Sequence, residues 1–142
     1  MSESTVERAP PLPPDVRPHA RTLPLPLTQL VGREAALAQL RALLADPATR
    51  LVTICGLGGV GKTRLALQIA HEVAARSGTD SLFPDGVYFV SAAAVMPREP
   101  LAELLATTIA TGLGLTIAGP EPAAAQLVDF LRERSLLLVL DS

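Results

Sequence analysis

The stretch that decides the fold of this 142-residue chain is Gly56-Leu57-Gly58-Gly59-Val60-Gly61-Lys62-Thr63. It fits the pattern G-x-x-x-x-G-K-[ST] at every fixed position. In a loop of this kind the glycines allow backbone conformations that are costly for other residues, so that successive N–H groups converge on one phosphate. Lys62 supplies a positive charge for the outer phosphates, and the Thr63 hydroxyl is placed to bind Mg2+. We count this stretch, together with the adjoining Arg64, as the predicted nucleotide-binding residues.

The sequence on either side of this phosphate loop favours the same interpretation. Leu51 to Cys55 is a short apolar run, typical of a strand covered on both faces, and we expect the Cys55 thiol to be buried. Thr63 to Arg76 carries apolar residues at four-residue spacing, which predicts a helix. The N-terminus of that helix would add unpaired N–H donors and the positive end of its dipole.

The basic residues of the chain single out Lys62. Eleven of the 12 basic side chains are arginines, and Lys62 is the sole lysine. It stands where a compact cation must fit among backbone amides, a position for which the broader, planar guanidinium is a poor replacement.

Two other glycine-loop patterns fit less well, and a glycine-rich turn that only mimics the motif remains a third alternative. The stretch also contains G-x-G-x-x-G, the pattern of dinucleotide-binding loops, which need an acidic residue at the end of the next strand. The next predicted strand, Val87 to Val90, is followed by Ser91. A protein-kinase glycine loop lies between two strands, whereas here a helix follows.

A second candidate element lies at the far end of the chain. Leu136 to Leu140 is the most hydrophobic predicted strand, and Asp141 follows it directly. A buried strand of this form, the Walker B form, delivers a carboxylate to the edge of a parallel sheet where ligands bind. We therefore predict that Asp141 and Thr63 hold Mg2+. No residue can be named as a catalytic base.

The order of the predicted elements is helix, strand, helix, strand, two helices and strand. The other helices are predicted from Gly32-Arg33-Glu34 to Asp46-Pro47, over Leu101 to Ala110, and over Pro122 to Arg134. Helices alternating with strands predict an α/β fold with a parallel sheet covered by helices.

Composition defines the remaining parts of the chain. Residues 1–27 hold seven of the 13 prolines, so we predict a disordered, Pro-rich leader, with a ligand for an SH3-like domain as the alternative. The ordered domain is predicted over residues 28–142. A net charge of -2 and 3% aromatic residues argue against a nucleic-acid-binding surface. No signal peptide or membrane span is legible, and the single cysteine suits a reducing compartment, so we expect a cytoplasmic protein.

Val31-Gly32-Arg33-Glu34, the phosphate loop and the strand ending in Asp141 follow one another in the order of a known family. The chain resembles, over about Leu23 to Ser142, the nucleotide-binding domain of STAND ATPases, the NB-ARC and related AAA-like domains of bacterial regulators. The resemblance implies a P-loop NTPase fold of three α/β/α layers that binds ATP or ADP with Mg2+. It also implies that Val31 and Arg33 line the adenine side of the site.

The resemblance further implies a sensor strand, another strand and helical and winged-helix lids after Asp141. By that analogy the sensor strand lies between the strands that hold Gly56 and Asp141, so we expect the chain to be an N-terminal fragment truncated after the Walker B strand. Buried strand edges would then be unpaired, and we expect the isolated chain to be unstable or to aggregate. Its partners would be a nucleotide and downstream sensor and effector domains, with no membrane contact and no direct nucleic-acid binding.

Three functions remain open from the sequence. The first is an ATP-binding regulatory switch with slow hydrolysis or none. The second is a catalytic phosphotransferase or motor-type ATPase that uses the same loop. The third is a nucleotide-gated transcriptional regulator whose DNA-binding part lies beyond Ser142, because no helix-turn-helix signal is legible here.

Overall fold

The computed structural model describes residues 23–25, 28, 30–76, 81–95 and 100–141. Most of the predicted Pro-rich leader lies outside these residues. Leu23 is an exception, because its side chain is 4% exposed and packs in the same core as Leu37 and Leu65. His71 Nε2 also donates a hydrogen bond to the carbonyl oxygen of Pro24, at 2.8 Å. Packing on the domain therefore begins before the predicted boundary at residue 28, since prolines prevent a helix but leave carbonyls and neighbouring side chains available for contacts.

The structure contains four helices and two strands within the described residues. They are α1 (Glu34–Ala45), α2 (Lys62–Ala74), β1 (Val87–Ser91), α3 (Leu101–Gly112), α4 (Ala123–Arg132) and β2 (Leu137–Asp141). Each corresponds to a predicted element, with ends that differ by at most a few residues. None of these helices is both long and apolar enough to cross a membrane.

The two strands form a parallel pair, from Val87 opposite Leu137 to Ser91 opposite Asp141. Because successive side chains of a strand point to opposite faces, Val87 and Phe89 pack with the core of α1 and α2. Tyr88 and Val90 pack with the core of α3 and α4. Helices thus lie on both faces of the sheet, as predicted, but β2 is only half-buried and Leu140 is 48% exposed.

The predicted strand at Leu51 to Cys55 is wrong as a paired strand. Residues 51–57 have no strand assignment, and no backbone hydrogen bond joins 51–55 to any other residue that the structure describes. Val52 and Ile54 are half-buried against the α1–α2 core, whereas Leu51 is 85% exposed and Cys55 is exposed too. The apolar run is therefore covered on one face only. Its composition indicated burial, but the ladder that makes a strand depends on a neighbouring segment.

An ion pair links the two helices that flank the phosphate loop. Arg41 on α1 donates to Glu72 on α2 at 2.7 Å. The hydrogen bond from Arg41 lowers the pKa of the Glu72 carboxyl below its usual value, although burial of the carboxyl opposes that change. Glu72 therefore remains ionised and paired with Arg41 at neutral pH.

On the other face of the sheet, α3 makes two close contacts. The Glu103 carboxylate accepts hydrogen bonds from the N–H groups of Ala123 (2.7 Å) and Ala124 (3.4 Å) at the start of α4. At the opposite end of α3, a methyl group added to Gly112 would lie 2.4 Å from Val90 Cγ2. Neither contact was predicted, because each joins residues that are distant in sequence.

Candidate functional site

The phosphate loop adopts a backbone that depends on its glycines. Gly59 and Gly61 have φ values of 77° and 87°, a left-handed conformation that residues with a Cβ rarely adopt. A methyl group added at Gly58, Gly59 or Gly61 would meet no atom within 4 Å. The loop therefore faces open space, as a cradle for a bulky anion requires.

The loop leads directly into α2, which begins at Lys62. Gly61 is the N-cap, and no side chain caps the helix there. The first N–H groups of a helix have no partner within it, and they carry the positive end of the helix dipole. The turn from Gly61 to Thr63 thus presents donors and positive potential to an anion.

Lys62 folds back towards the start of the loop. Its Nζ donates hydrogen bonds to the carbonyl oxygens of Gly56 (3.0 Å) and Leu57 (2.9 Å), and the residue is half-buried. The ammonium therefore holds the first two loop carbonyls while remaining accessible from solvent. Leu57 itself is 82% exposed, so only its backbone has an evident place in the predicted site.

Thr63 and Asp141, which are 78 residues apart in sequence, meet at the end of the sheet. The Thr63 hydroxyl donates to Asp141 Oδ1 at 2.8 Å. A hydroxyl and a carboxylate are ligands that suit Mg2+, which usually keeps several waters and takes only one or two protein carboxylates. Within the described part of the chain no cluster of three or more His, Cys, Asp and Glu side chains could hold a metal. The Thr63–Asp141 pair fits a magnesium site completed by phosphate oxygens and water.

Arg33, predicted to line the adenine side, contacts the loop itself. Its Nη2 donates to the carbonyl oxygen of Val60 at 2.7 Å. Arg33, Val60 and Lys62 also line a cavity of about 270 Å3 between α1 and the segment that precedes the loop. Val31 is 84% exposed and is not part of that lining. The structure thus brings Arg33 to the loop, whereas the adenine role of both residues stays a prediction.

Arg64 does not direct its side chain into the loop. Its guanidinium donates to the carbonyl oxygen of Thr28 at 3.2 Å and also to the Thr28 hydroxyl. Arg64 therefore joins α2 to the segment that precedes α1. Its backbone, in the first turn of α2, is the part that lies near the predicted phosphate position.

One contact at the site had no local signal in the sequence. The Arg33–Val60 hydrogen bond joins residues 27 positions apart, so no spacing within a motif could have indicated it. Only the packing of α1 against α2 places the two residues together.

Comparison with known proteins identifies the domain type. A family model described as an AAA ATPase domain matches residues 29–142, which include the phosphate loop, Arg33 and Asp141. No solved structure matches the chain at a significant level.

Several mycobacterial proteins are similar to this chain. One from Mycobacterium bovis, named "Putative HTH-type transcriptional regulator", is 41% identical over 105 residues, which are 72% of this chain and 10% of that protein. A second, from Mycobacterium tuberculosis and named only as an uncharacterized protein, is 36% identical over 115 residues, or 81% of this chain and 26% of that protein. The chain thus spans about a tenth of the first relative and about a quarter of the second.

Proposed function

Because this chain belongs to the AAA ATPase domain family, we propose that it binds ATP or ADP with Mg2+ at the phosphate loop and works as a regulatory switch. In this proposal the loop N–H groups and Lys62 bind the phosphates, and Thr63 with Asp141 holds the metal. The finer assignment to the STAND class, including NB-ARC-type domains, belongs to the same proposal. It rests on the Val31 to Glu34 segment, which precedes the loop by one helix.

The hydrogen bond from Thr63 to Asp141 carries the proposal. The two residues come from separate motifs, and either motif alone is compatible with other interpretations. Their meeting at 2.8 Å, beside a loop that faces open space, supports the proposal because a hydroxyl and a carboxylate are oxygen ligands that suit Mg2+. A bound Mg2+ would neutralise charge on the phosphates, and the protein would supply the positions of its ligands.

A role in transcription control is supported by the printed name of the first relative. In this form of the proposal, nucleotide bound here changes the activity of a DNA-binding region outside residues 1–142. The proposal of slow, regulatory hydrolysis, in place of a phosphotransferase or motor-type ATPase, rests on the resemblance of the Val31 to Glu34 segment to that of the STAND regulators.

Calorimetric titration of ATP, with Mg2+ and with a chelator, tests the metal site. Asp141→Asn keeps an oxygen near the Thr63 hydroxyl but removes the negative charge. We expect it to weaken ATP binding in Mg2+ by about 10- to 100-fold, the usual cost of disturbing a metal's ligand environment. Binding in the chelator should be nearly unchanged.

Thr63→Ser and Thr63→Val form a matched pair for the same titration. Serine keeps the hydroxyl and should bind MgATP almost as the natural chain does, whereas valine keeps the shape and should reproduce the loss in Asp141→Asn. An equal loss with and without Mg2+ would contradict the metal role. Phosphate release by a longer protein at many turnovers per second would contradict the switch.

A further inference from the structure

We infer that Arg33 is a positioning residue for the phosphate loop, which it orients through the carbonyl group of Val60. The guanidinium donates to that carbonyl at 2.7 Å, across 27 residues of sequence. The inference rests on the proposed function, because it concerns the same phosphate site. In this inference Arg33 orients the loop and does not contact the base of the nucleotide.

The geometry of the peptide bond explains how a carbonyl contact can orient a donor. A trans peptide is planar, so the C=O of Val60 and the N–H of Gly61 belong to one rigid unit and point in opposite directions. When Arg33 holds the carbonyl on one side, the Gly61 N–H is turned to the other side. The N–H of Val60 donates to the Leu57 carbonyl at 3.4 Å, so the Arg33 contact at 2.7 Å is the shorter of the two hydrogen bonds made by the Val60 backbone.

Arg33 is itself fixed by α1. It is the N-cap residue of that helix, and its carbonyl accepts the first helical hydrogen bond, from the Leu37 N–H at 3.0 Å. Leu37 and Leu40 are buried in one core with residues of α2. The guanidinium therefore connects the loop to a packed helix. That helix, α1, shares its core with α2, which follows the loop.

Lys62 and Arg33 together hold three carbonyl groups of the loop. Lys62 holds those of Gly56 and Leu57 at the start of the loop, and Arg33 holds that of Val60 near its end. In the proposed function Lys62 also binds phosphate directly, whereas Arg33 acts only through the Val60 carbonyl. Carbonyls that are bonded to these cations leave the N–H groups of the same peptides free to face an anion.

Binding of inorganic tripolyphosphate, compared with binding of ATP, separates a loop role from a base role. Both ligands would be titrated in Mg2+ into the full 142-residue chain and into Arg33→Met, which keeps much of the side-chain stem but loses the charge and the donors. We expect the two affinities to fall by the same factor, about tenfold, because one charge-assisted hydrogen bond is lost. Arg50→Met, a change at an exposed arginine six residues before the loop, is the control and should alter neither affinity.

Arg33→Lys completes the experiment and replaces Arg33→Met if that variant fails to fold. It keeps a cation but not the forked donor group, so both affinities should again fall in equal proportion, by less than in Arg33→Met. A loss for ATP with no loss for tripolyphosphate would overturn the inference and place Arg33 on the base. Unchanged binding of both ligands would overturn it as well. If the natural chain bound neither ligand, the proposed function would fail first, and the inference with it.

Discussion

The phosphate loop and the β1–β2 pair keep their backbones in place by different means. In the strand pair the backbones bond to each other over five aligned positions, and helices cover both faces. In the loop, the carbonyls of Gly56, Leu57 and Val60 are held by the cationic side chains of Lys62 and Arg33. The segment that leads into the loop has no backbone partner among the described residues.

The difference follows from whether the backbone N–H groups of each region must stay free for a ligand. A ligand site for phosphate needs N–H groups that are not already paired, so its carbonyls must be satisfied from elsewhere. The scaffold, meaning the β1–β2 pair with its covering helices, needs none of its backbone N–H and C=O groups for a ligand and can pair them with one another. Substitutions in the loop should therefore change binding with little effect on stability, and substitutions in the scaffold should do the opposite.

The largest effect is expected from Lys62→Ala, which removes the only cationic side chain within the loop. ATP binding should weaken by at least about 100-fold, or roughly 3 kcal/mol, as measured by calorimetry. The free energy of unfolding should change by less than about 1 kcal/mol, because the two carbonyls that Lys62 holds belong to exposed residues and can bond to water instead. Arg50→Ala is the matched loss of a surface cation. A large fall in stability in Lys62→Ala, with none in Arg50→Ala, would contradict the expectation that loop substitutions change binding but not stability.

A smaller effect, on stability alone, is expected from Gly112→Ala in α3. Alanine normally favours a helix over glycine by about 1 kcal/mol, but here the new methyl group would lie 2.4 Å from Val90 Cγ2. Crowding of this kind in a packed core costs about 1–3 kcal/mol. Urea unfolding should show Gly112→Ala to be less stable than the natural chain, with ATP affinity unchanged.

Val90→Ala provides the internal control for that contact, because it removes both Cγ atoms. In the Val90→Ala background, Gly112→Ala should become neutral or stabilising, since the helix preference of alanine then acts without the clash. The same loss of stability in both backgrounds would show that the close approach of α3 to β1 is not the cause.

The smallest effect is expected from Glu103→Gln. The change removes the charge that interacts with the N-terminus of α4 and leaves one acceptor for the two N–H groups of Ala123 and Ala124. The free energy of unfolding should fall by about 1 kcal/mol, as for the loss of a helix cap. Glu121→Gln removes an exposed acid two residues before the same helix. Equal losses in the two variants would mean that general charge, and not the cap, is responsible.

The parts of the fold that could be predicted are those with a periodic local signal. Helices α1 and α2 show their apolar spacing directly. Leu137 to Leu140 is uniformly apolar, and it pairs with β1 as a half-buried strand. Leu51 to Cys55 has the same kind of composition, yet it has no hydrogen-bonded neighbour within the described residues. Local sequence indicates which side chains avoid water, but strand pairing is a property of two segments.

Within the site, the residues of the predicted phosphate loop could be named from the sequence. Four glycines, one lysine and one threonine at fixed spacing leave few other uses for the stretch from Gly56 to Thr63, because the conformation and chemistry of the loop follow from the residues themselves. The meeting of Asp141 with Thr63 was also predicted from the two motifs. The contacts of Arg33 with Val60 and of Arg64 with Thr28 were not. These contacts depend on how helices and strands pack, and short-range spacing carries no information about that packing.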